Sequence, residues 1–366
     1  MQHKFIISGG GTGGHIFPAV AIANGIRKRE PSASILFVGA KGRMEMEKVP
    51  AAGYEIIGLN IAGIKRSFSL SNLLVPFKLL GAIRQAGKIL RKFRPDAVVG
   101  VGGYASGAML YAAGLKHIPA LVQEQNSFPG VTNKLLSKRV AKICVAYDKM
   151  EKFFPAEKIV ITGNPVRQEI TELEGKREKG FLHFDLNPDM FTVLVVGGSL
   201  GAFSINESIA ANLMRFKENG IQLIWQTGKG YIEKAVLAVN KGGNTNLKAF
   251  DFIKELDMAY ACADLVVSRA GAIAVSELCL VKKPCILIPY PHAAEDHQTK
   301  NAQALVDHKA AIMIKDSAAR EVLGDLIVQL SSDDERRLEL QNNIAGLGRP
   351  NATELIVDEI FRLIRN

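Results

Sequence analysis

A glycine-rich turn that ends in a histidine lies near the start of the chain. Residues 5–8 form a short apolar run, and Gly9–His15 follows it with five glycines, one threonine and the histidine. Glycine lets the backbone approach a bulky anion closely, and a helix beginning near Phe17 would add free N–H groups and a partial positive charge. Because an imidazole titrates near neutral pH, the segment predicts an anion-binding turn with His15 as a proton acceptor at its edge.

A second turn of this kind lies in the other half of the chain. Gly197, Gly198 and Ser199 follow an apolar run at residues 192–196 and open a helical pattern. Backbone N–H groups and the serine hydroxyl could bind a phosphate there, although a tight turn capped by the serine would have the same sequence. Arg167 is a candidate contact for a diphosphate, and a surface arginine is the alternative interpretation.

A third segment combines small residues with a carboxylate. Residues 268–276 are mostly small and follow an apolar run, and Glu277 lies one turn into the helix expected there. Small side chains let a flat or sugar-like ligand approach, and a carboxylate can accept two hydrogen bonds from a ribose diol. The segment therefore predicts a nucleoside site, with a solvated glutamate as the simpler alternative.

Two cofactor classes are disfavoured by the residues around the first turn. Gly9, Gly11 and Gly14 have the G-x-G-x-x-G spacing of dinucleotide sites. Such a site also needs an acid at the end of the second strand, and the run at residues 35–41 ends in a lysine. No Gly-Lys-Ser/Thr of a P-loop follows the glycines, so neither a nicotinamide cofactor nor a P-loop nucleotide site is expected.

The loop at residues 292–298 contains two histidines and two acids after an apolar run. Open α/β sheets bind ligands beyond the carboxyl ends of their strands, so these polar groups are well placed for a ligand. They could suggest a metal, but the chain has no D-x-D pair and acid-rich loops are usually solvated. We therefore expect no metal and no cofactor.

Length and composition favour a globular protein with two domains. The chain has 366 residues, of which 48% are hydrophobic and 22% charged. Its four cysteines have no C-x-x-C spacing, which indicates reduced and mostly buried thiols. Residues 97–115 carry no charge, but their five glycines favour a strand, a glycine loop and a helix over a membrane span.

Short apolar runs alternate with helical patterns along the whole chain. Seven candidate strands precede residue 164 and six follow it, which predicts two parallel α/β sheets. The boundary is expected at Gly163-Asn164-Pro165, because proline stops ladder bonding and stiffens a hinge. A final amphipathic helix is predicted after the break at Pro350.

Charge is distributed unevenly between the two halves. Residues 1–164 have 23 basic and 9 acidic side chains, whereas the remainder has 23 and 27. No acid occurs between Glu55 and Asp96, and the window at residues 61–94 mixes eight cations with aliphatic side chains. Such a pattern suits a surface resting on anionic lipid headgroups, or a core-facing helix with a solvated basic face. Nucleic acid is not expected, because no binding motif is present and the window is aliphatic rather than aromatic.

Seven short motifs occur in the order found in one enzyme family. From residue 4 to about residue 360 the chain resembles the peptidoglycan N-acetylglucosaminyltransferases. The motifs that carry the resemblance are Gly10–His15 (GGTGGH), Gly102–Tyr104 (GGY), Glu124–Asn126 (EQN), Gly163–Arg167 (GNPVR), Gly197–Ser199 (GGS), Ala272–Glu277 (AIAVSE) and His297–Gln298 (HQ).

The resemblance implies a fold and a division of labour. The family's GT-B fold is α/β, with two Rossmann-like, doubly wound domains facing each other across a cleft. Residues 1–164, joined by a last helix at residues 351–366, would form the domain that faces acceptor and membrane. Residues 165–350 would bind the UDP-sugar.

The resemblance also implies a reaction. The donor would be UDP-N-acetylglucosamine, and the acceptor would be lipid I, undecaprenyl-diphospho-MurNAc-pentapeptide. Attack by the 4-hydroxyl of the muramoyl sugar would invert the anomeric centre, release UDP and give lipid II at the cytoplasmic face of the bacterial inner membrane. The hydroxyl needs a base, for which His15 is the first candidate and Glu124 the second, and His15 acting only in binding is the alternative.

The family pattern assigns binding roles to further positions. The backbone at Ile253 would read uracil, Glu277 would hold the ribose, and Asn126 and Gln298 would contact the donor sugar. Arg167 and Ser199 would contact the diphosphate of the donor. The residues expected to line the nucleotide are Ala272, Ile273, Ala274, Val275 and Ser276. Thr12, Gly13 and Gly14 would close over the donor and the acceptor diphosphate.

One position departs from the family pattern. Gln123 stands where members of the family commonly have a histidine before the glutamate. Because it adjoins Glu124, the departure weakens an acid–base role for that loop.

Because the acceptor is lipid-linked, the resemblance favours membrane docking through residues 61–94.

Three other functions are compatible with these motifs. A GT-B transferase with another lipid acceptor would keep the donor loops and differ at Tyr104 and in the basic window. A UDP-sugar 2-epimerase would release UDP without a lipid acceptor. A nucleotide-sugar sensor would need neither His15 nor Glu124.

Overall fold

The computed structural model describes residues 2–61, 75–241 and 246–365. The chain forms two compact units, residues 1–166 with 350–366 and residues 167–349. Within these described ranges, each unit is built on one parallel sheet, with seven strands in the first and six in the second. Every predicted strand is present, because parallel strands buried on both faces are continuous apolar runs in the sequence.

The sheet of the first unit has the strand order β3-β2-β1-β4-β5-β6-β7. Its strands are β1 (Lys4–Gly9), β2 (Ser34–Ala40), β3 (Glu55–Leu59), β4 (Ala97–Gly102), β5 (Ala120–Glu124), β6 (Lys142–Val145) and β7 (Ile159–Ile161). The helices between them are α1 (Gly13–Arg29), α2 (Glu45–Ala51), α3 (Val75–Phe93), α4 (Tyr104–Leu115) and α5 (Val131–Leu136).

Helices cover both faces of this sheet. Ile6 of β1 packs into a core with α3 and α4, whereas its neighbours Phe5 and Ile7 pack into the core on the other face. This alternation follows from the two-residue period of a strand. The uncharged stretch at residues 97–115 forms β4 and α4, as predicted. Among the described residues, no helix is long and apolar enough to cross a bilayer.

The sheet of the second unit has the order β10-β9-β8-β11-β12-β13. Its strands are β8 (Phe191–Val196), β9 (Ile221–Gln226), β10 (Leu247–Phe250), β11 (Leu265–Ser268), β12 (Cys285–Leu287) and β13 (Ile312–Met313). Its helices are α6 (Gln168–Thr171), α7 (Lys176–Phe184), α8 (Phe203–Ala211), α9 (Leu213–Glu218), α10 (Ile232–Lys241), α11 (Leu256–Cys262), α12 (Ala272–Val281), α13 (His297–Asp307), α14 (Ala319–Ser332) and α15 (Asp334–Ala345).

The last helix, α16 (Ala352–Leu363), belongs to the first unit. It packs against α1, where a Cβ on Gly25 would lie 2.7 Å from Cγ2 of Thr353. Ile356 and Phe361 enter the same core as β1 and α1. The glycine in α1 therefore permits the close approach of the two helices.

Strand order places a loop crossing at the same point of each sheet. The strands are parallel, and the direction in which the chain adds strands to the sheet reverses between β1 and β4 in the first unit and between β8 and β11 in the second. Loops that follow such neighbouring strands diverge to opposite faces and leave a crevice, which is where open α/β sheets bind ligands. Both predicted glycine turns lie at these points.

Candidate active site

His15 lies in the first turn of α1, which begins at Gly13 rather than near Phe17. Its Nδ1 atom is 2.9 Å from the carbonyl oxygen of Gly10. A carbonyl oxygen carries no proton, so Nδ1 donates and the neutral ring keeps its lone pair on Nε2. The partly buried imidazole is therefore held in the tautomer that a base at Nε2 needs.

The end of β4 packs against the histidine, and the residue after it packs against the glycine loop. A Cβ on Gly102 would lie 2.8 Å from both Cδ2 and Nε2 of His15, and a Cβ on Gly103 would lie 2.7 Å from the oxygen of Gly10. Both glycines have positive φ, 111° and 89°. Glycine is required here because a side chain would push the ring or the first turn out of place.

Glu124, the second candidate base, is almost completely buried at the end of β5. One carboxylate oxygen accepts from the backbone and side-chain N–H groups of Asn126, at 3.0 and 3.1 Å. The other accepts from the backbone of Gly130 at 3.3 Å and from Nδ2 of Asn133 at 2.8 Å. This carboxylate holds the loop after β5, and its lone pairs are directed at that loop.

The departure at Gln123 is accommodated inside the protein. Its side chain is fully buried and donates from Nε2 to Oδ1 of Asn164 at 2.9 Å. Gln125 donates to the Gln123 side chain and, at 2.9 Å, to the carbonyl of Val101. The glutamine therefore belongs to a buried amide network, and it does not extend the acid–base chemistry of the site.

The sequence reasoning missed Glu45. The first residue of α2 is completely buried, and its carboxylate accepts from the backbone N–H of Gly11 at 2.9 Å. β2 does not end in the acid that a dinucleotide site would need. Glu45, five residues after the last residue of β2, instead turns back onto the glycine loop. A glutamate that shortly follows Gly39 and Ala40 at the end of β2 was the available signal.

The structure excludes the alternative interpretation of the second glycine turn, in which Ser199 caps the helix. Ser199 is exposed and precedes α8 by several residues, because the helix begins at Phe203 with Ala202 as its N-cap. The loop is held against the end of β9, since a Cβ on Gly201 would lie 2.0 Å from the oxygen of Thr227. Ser199 therefore lies in an open loop at the crevice and does not cap the helix.

Gln226, at the end of β9, connects two parts of the predicted nucleotide site. Its Nε2 donates to the carbonyl of Gly198 at 3.0 Å, and its Oε1 accepts from the backbone N–H of Ile253 at 3.0 Å. The backbone N–H of Ile253 already donates to Gln226 in this conformation. A nucleobase that hydrogen-bonds the backbone of Ile253 would therefore donate to its carbonyl.

Glu277 and Arg167 form an ion pair within the second unit. The nitrogen Nη2 of Arg167 is 3.4 Å from Oε1 of Glu277, and the Tyr260 hydroxyl donates to Oε2 at 3.3 Å. Burial raises the pKa of the Glu277 carboxyl, and Arg167 and Tyr260 oppose that shift only in part. The carboxylate is thus held away from water, where a hydrogen bond from a bound diol would be stronger than in water.

The helix α12 begins at the predicted nucleotide segment. Its first turn contains Ala272, Ile273 and Ala274, whose N–H groups precede the first intrahelical bond, from Val275 to Gly271. The hydroxyl of Ser276 donates back to the carbonyl of Ala272 at 3.0 Å. These N–H groups are therefore directed toward the crevice beyond β11, where they suit a phosphate.

Gln298 lies in the first turn of α13. Its Oε1 accepts from the backbone N–H of Tyr290 at 2.9 Å, which holds the loop after β12. The amide nitrogen is the group left for a sugar hydroxyl. Thr12 occupies the N-cap position of α1 without a side-chain capping hydrogen bond, and both Thr12 and Gly14 are exposed at the start of that helix.

The basic window is described only in part. Residues 62–74, with Lys65 and Arg66, lie outside the described residues. In α3, Ala82, Ala86 and Leu90 are buried, whereas Leu80 is 52% exposed. The exposed cations of this helix are Lys78, Arg84, Lys88, Arg91 and Lys92.

Comparison with known proteins identifies the family. Residues 5–145 match the glycosyltransferase family 28 N-terminal domain, and residues 192–356 match the family 28 C-terminal domain. The chain belongs to glycosyltransferase family 28. Its architecture is accordingly the GT-B fold, as the motifs predicted.

Full-length relatives carry one name. A protein of Parabacteroides distasonis is 53% identical over 363 residues, which are 99% of each chain. A protein of Bacteroides thetaiotaomicron is 54% identical over 362 residues, 98% of this chain and 97% of the relative. Both are named UDP-N-acetylglucosamine--N-acetylmuramyl-(pentapeptide) pyrophosphoryl-undecaprenol N-acetylglucosamine transferase.

Solved structures agree with this placement. The crystal structure of Acinetobacter baumannii MurG has a TM-score of 0.80 at 30% identity and covers 99% of this chain and 100% of that chain. A UDP-GlcNAc 2-epimerase from Neisseria meningitidis has a TM-score of 0.67 at 14% identity, covering 99% and 100%. The second likeness shows the fold alone.

Proposed function

We propose that this chain transfers N-acetylglucosamine from UDP-N-acetylglucosamine to the 4-hydroxyl of lipid I, giving lipid II for peptidoglycan synthesis. The observation that carries the proposal is the identity of about half of all residues, over the full length, with relatives named for this transfer. The epimerase alternative rests only on a shared fold at 14% identity and is not favoured.

His15 acts as the base in this proposal. Its Nε2 lone pair accepts the proton of the muramoyl 4-hydroxyl while the oxygen attacks the anomeric carbon. The ring then becomes an imidazolium, and the carbonyl of Gly10, 2.9 Å from Nδ1, stabilises its charge by a stronger hydrogen bond. Glu124 instead keeps the loop after β5, with Asn126, in position for the donor sugar.

The second unit binds the donor and receives the leaving UDP. Glu277 accepts hydrogen bonds from the ribose diol, and the carbonyl of Ile253 reads the uracil. The diphosphate lies at the start of α12 and near Ser199, where N–H groups offset its charge. Arg167 supplies the cation, because its guanidinium has five donors and its contact with Glu277 engages one nitrogen.

Work on a lipid-linked acceptor requires contact with a membrane surface. We place the protein at the cytoplasmic face of the inner membrane as a peripheral protein. Leu79 and Leu80 of α3 are 42% and 52% exposed, and cations at Arg84 and Lys88 continue the helix face of Leu80. Exposed aliphatic groups beside cations suit insertion among anionic headgroups.

Transfer of label tests the proposal directly. Purified protein is incubated with UDP-N-acetylglucosamine labelled in the sugar and with a lipid I analogue, and the lipid product is extracted and counted. Label is expected in the lipid fraction only when the analogue is present. Its absence there would overturn the proposed reaction, and release of free UDP with a 2-epimerised sugar would indicate the epimerase.

A further inference from the structure

Glu45 has no part in the mechanism above, although it is completely buried beside the glycine loop. Its Oε2 accepts from the N–H of Gly11 and its Oε1 from the N–H of Ala40, both at 2.9 Å. A buried carboxylate is costly unless hydrogen bonds satisfy it, and here each oxygen has a backbone donor. The side chain thereby ties the loop after β1 to the end of β2.

Two glycines make room for this carboxyl group. A Cβ on Gly10 would lie 2.2 Å from Oε1 of Glu45, and a Cβ on Gly39 would lie 2.5 Å from its Cγ. Gly10 follows β1 and Gly39 lies near the end of β2, and both positions face the same side chain. The backbone is thus shaped around Glu45 from both sides.

The peptide between Gly10 and Gly11 connects this carboxylate to the histidine. The N–H of that peptide belongs to Gly11 and donates to Glu45, whereas its carbonyl belongs to Gly10 and accepts from Nδ1 of His15. A peptide unit is planar, so fixing the direction of its N–H also fixes the direction of its carbonyl. Glu45 and His15 hold opposite ends of one rigid group.

We propose that Glu45 is a positioning residue that sets the tautomer and orientation of His15 through the Gly10–Gly11 peptide. If that peptide turned over, its N–H would face Nδ1, which would then have to accept. The ring would carry its proton on Nε2 and could not act as a base there. The consequence for catalysis rests on the proposed function, whereas the effect on the tautomer does not.

The test compares Glu45→Gln with Glu47→Gln, a substitution of an exposed glutamate in the same helix. Glutamine has the shape of glutamate but directs an NH₂ group at one of the two N–H donors. The tautomer of His15 is read from the ¹⁵N shifts of its ring, assigned with a His15→Gln spectrum. Rates are measured with the lipid I analogue, and UDP affinity is measured by calorimetry.

In Glu45→Gln we expect the proton of the neutral ring to move from Nδ1 toward Nε2. We also expect kcat to fall by about 100-fold, with UDP affinity unchanged. Glu47→Gln should match the wild type in every measurement. A Glu45→Gln protein with the wild-type tautomer and a kcat within about twofold of wild type would overturn the proposal.

A second variant covers a failure of the first to fold. Gly39→Ala puts a methyl group 2.5 Å from Cγ of Glu45, so it displaces the carboxylate while keeping its charge. The same three measurements apply to it, with the same expected results. If the wild-type protein transfers no sugar, the proposed function fails, and the tautomer measurement alone then decides the role of Glu45.

Discussion

His15 donates from Nδ1 to the carbonyl oxygen of Gly10 at 2.9 Å, and this contact determines which ring nitrogen can take a proton. The acceptor is a backbone carbonyl, so the tautomer follows the path of the glycine loop, and Glu45 is the side chain that hydrogen-bonds the same peptide from its N–H side. Besides the anion binding proposed for it, the loop therefore orients the histidine. It keeps Nε2 unprotonated in the neutral ring.

Replacing His15 with glutamine should lower kcat by about 10² to 10⁴-fold, because a positioned general base contributes about that much. UDP affinity should be unchanged, since the loops proposed to bind UDP belong to residues 167–349. Transfer of labelled sugar and calorimetry with UDP check the two parts. The exposed His308, replaced by glutamine, is the control. A His15→Gln enzyme with most of its turnover would leave histidine only a binding role.

Gly102→Ala should impair catalysis through the position of the histidine ring. The added Cβ would lie 2.8 Å from Nε2 of His15 and would also occupy a backbone with φ of 111°. The matched control is Gly53→Ala, which has φ of 81° but nothing within 4 Å of its Cβ. Both variants should lose about 1–2 kcal/mol of unfolding free energy, from the strained backbone.

Only Gly102→Ala should also lower kcat, by about tenfold or more. Urea titrations and transfer rates of the two alanine variants, measured side by side, check this. Equal kcat values in both would mean that the contact with the ring has no catalytic consequence.

Glu124→Gln should act mainly on stability. The carboxylate accepts from Asn126, Gly130 and Asn133, and a glutamine NH₂ would face one of these donors. We expect the free energy of unfolding to fall by about 1–3 kcal/mol and kcat to fall by less than about tenfold. Glu157→Gln, at an exposed position, is the control. A loss of kcat near 10³-fold with unchanged stability would instead make Glu124 the base.

Glu277→Gln should weaken UDP binding by about 10- to 100-fold, the usual loss for hydrogen bonds to a charged group. The buried carboxylate is the proposed acceptor for the ribose diol, and glutamine accepts on one oxygen only. Calorimetry with UDP measures the change, with the exposed Glu321→Gln as the control. Unchanged affinity would remove the ribose contact from Glu277.

The same substitution should alter the pH dependence of stability. Burial raises the pKa of Glu277 above its ordinary value of 4.5, so the folded protein keeps this proton to a higher pH than the unfolded chain does. The contribution of Glu277 to the free energy of unfolding is therefore fully present below the ordinary pKa, and it is lost as pH rises through the raised pKa. Glu277→Gln should gain stability relative to wild type from pH 4 to pH 7, measured by urea titration. A constant difference across that range would contradict the shift.

The sheets could be predicted from the sequence because their strands are buried on both faces. Helix boundaries were harder, and α1 shows the reason. Its first turn is Gly13, Gly14 and His15, which have low helix propensity and no apolar period, so the pattern becomes visible only at Phe17. Ser199 illustrates the reverse case, where a helical pattern nearby suggested a cap that the backbone does not form.

The contacts that orient the site could not be predicted in the same way. Glu45 reaches Gly11 across 34 positions of sequence, and the contact exists because β2 lies beside β1. Glu277 and Arg167 are 110 positions apart. Residue types identified the candidate groups, whereas their partners depend on strand order and on backbone direction at the ends of strands.

Charge reversal on α3 should separate membrane binding from donor binding. Lys78, Arg84 and Lys88 are exposed on this helix, and each basic residue near an anionic surface contributes about 1 kcal/mol of binding. Changing all three to glutamate should weaken binding to anionic phosphatidylglycerol vesicles by about 100-fold or more, in sedimentation at low salt.

The control has the same change in net charge, with the exposed Lys179, Lys229 and Lys315 changed to glutamate. It should bind vesicles nearly as the wild type does, because those lysines belong to residues 167–349. UDP affinity should be unchanged in the α3 variant. Equal vesicle binding by the two triple variants would show that overall charge, and not α3, attracts the membrane.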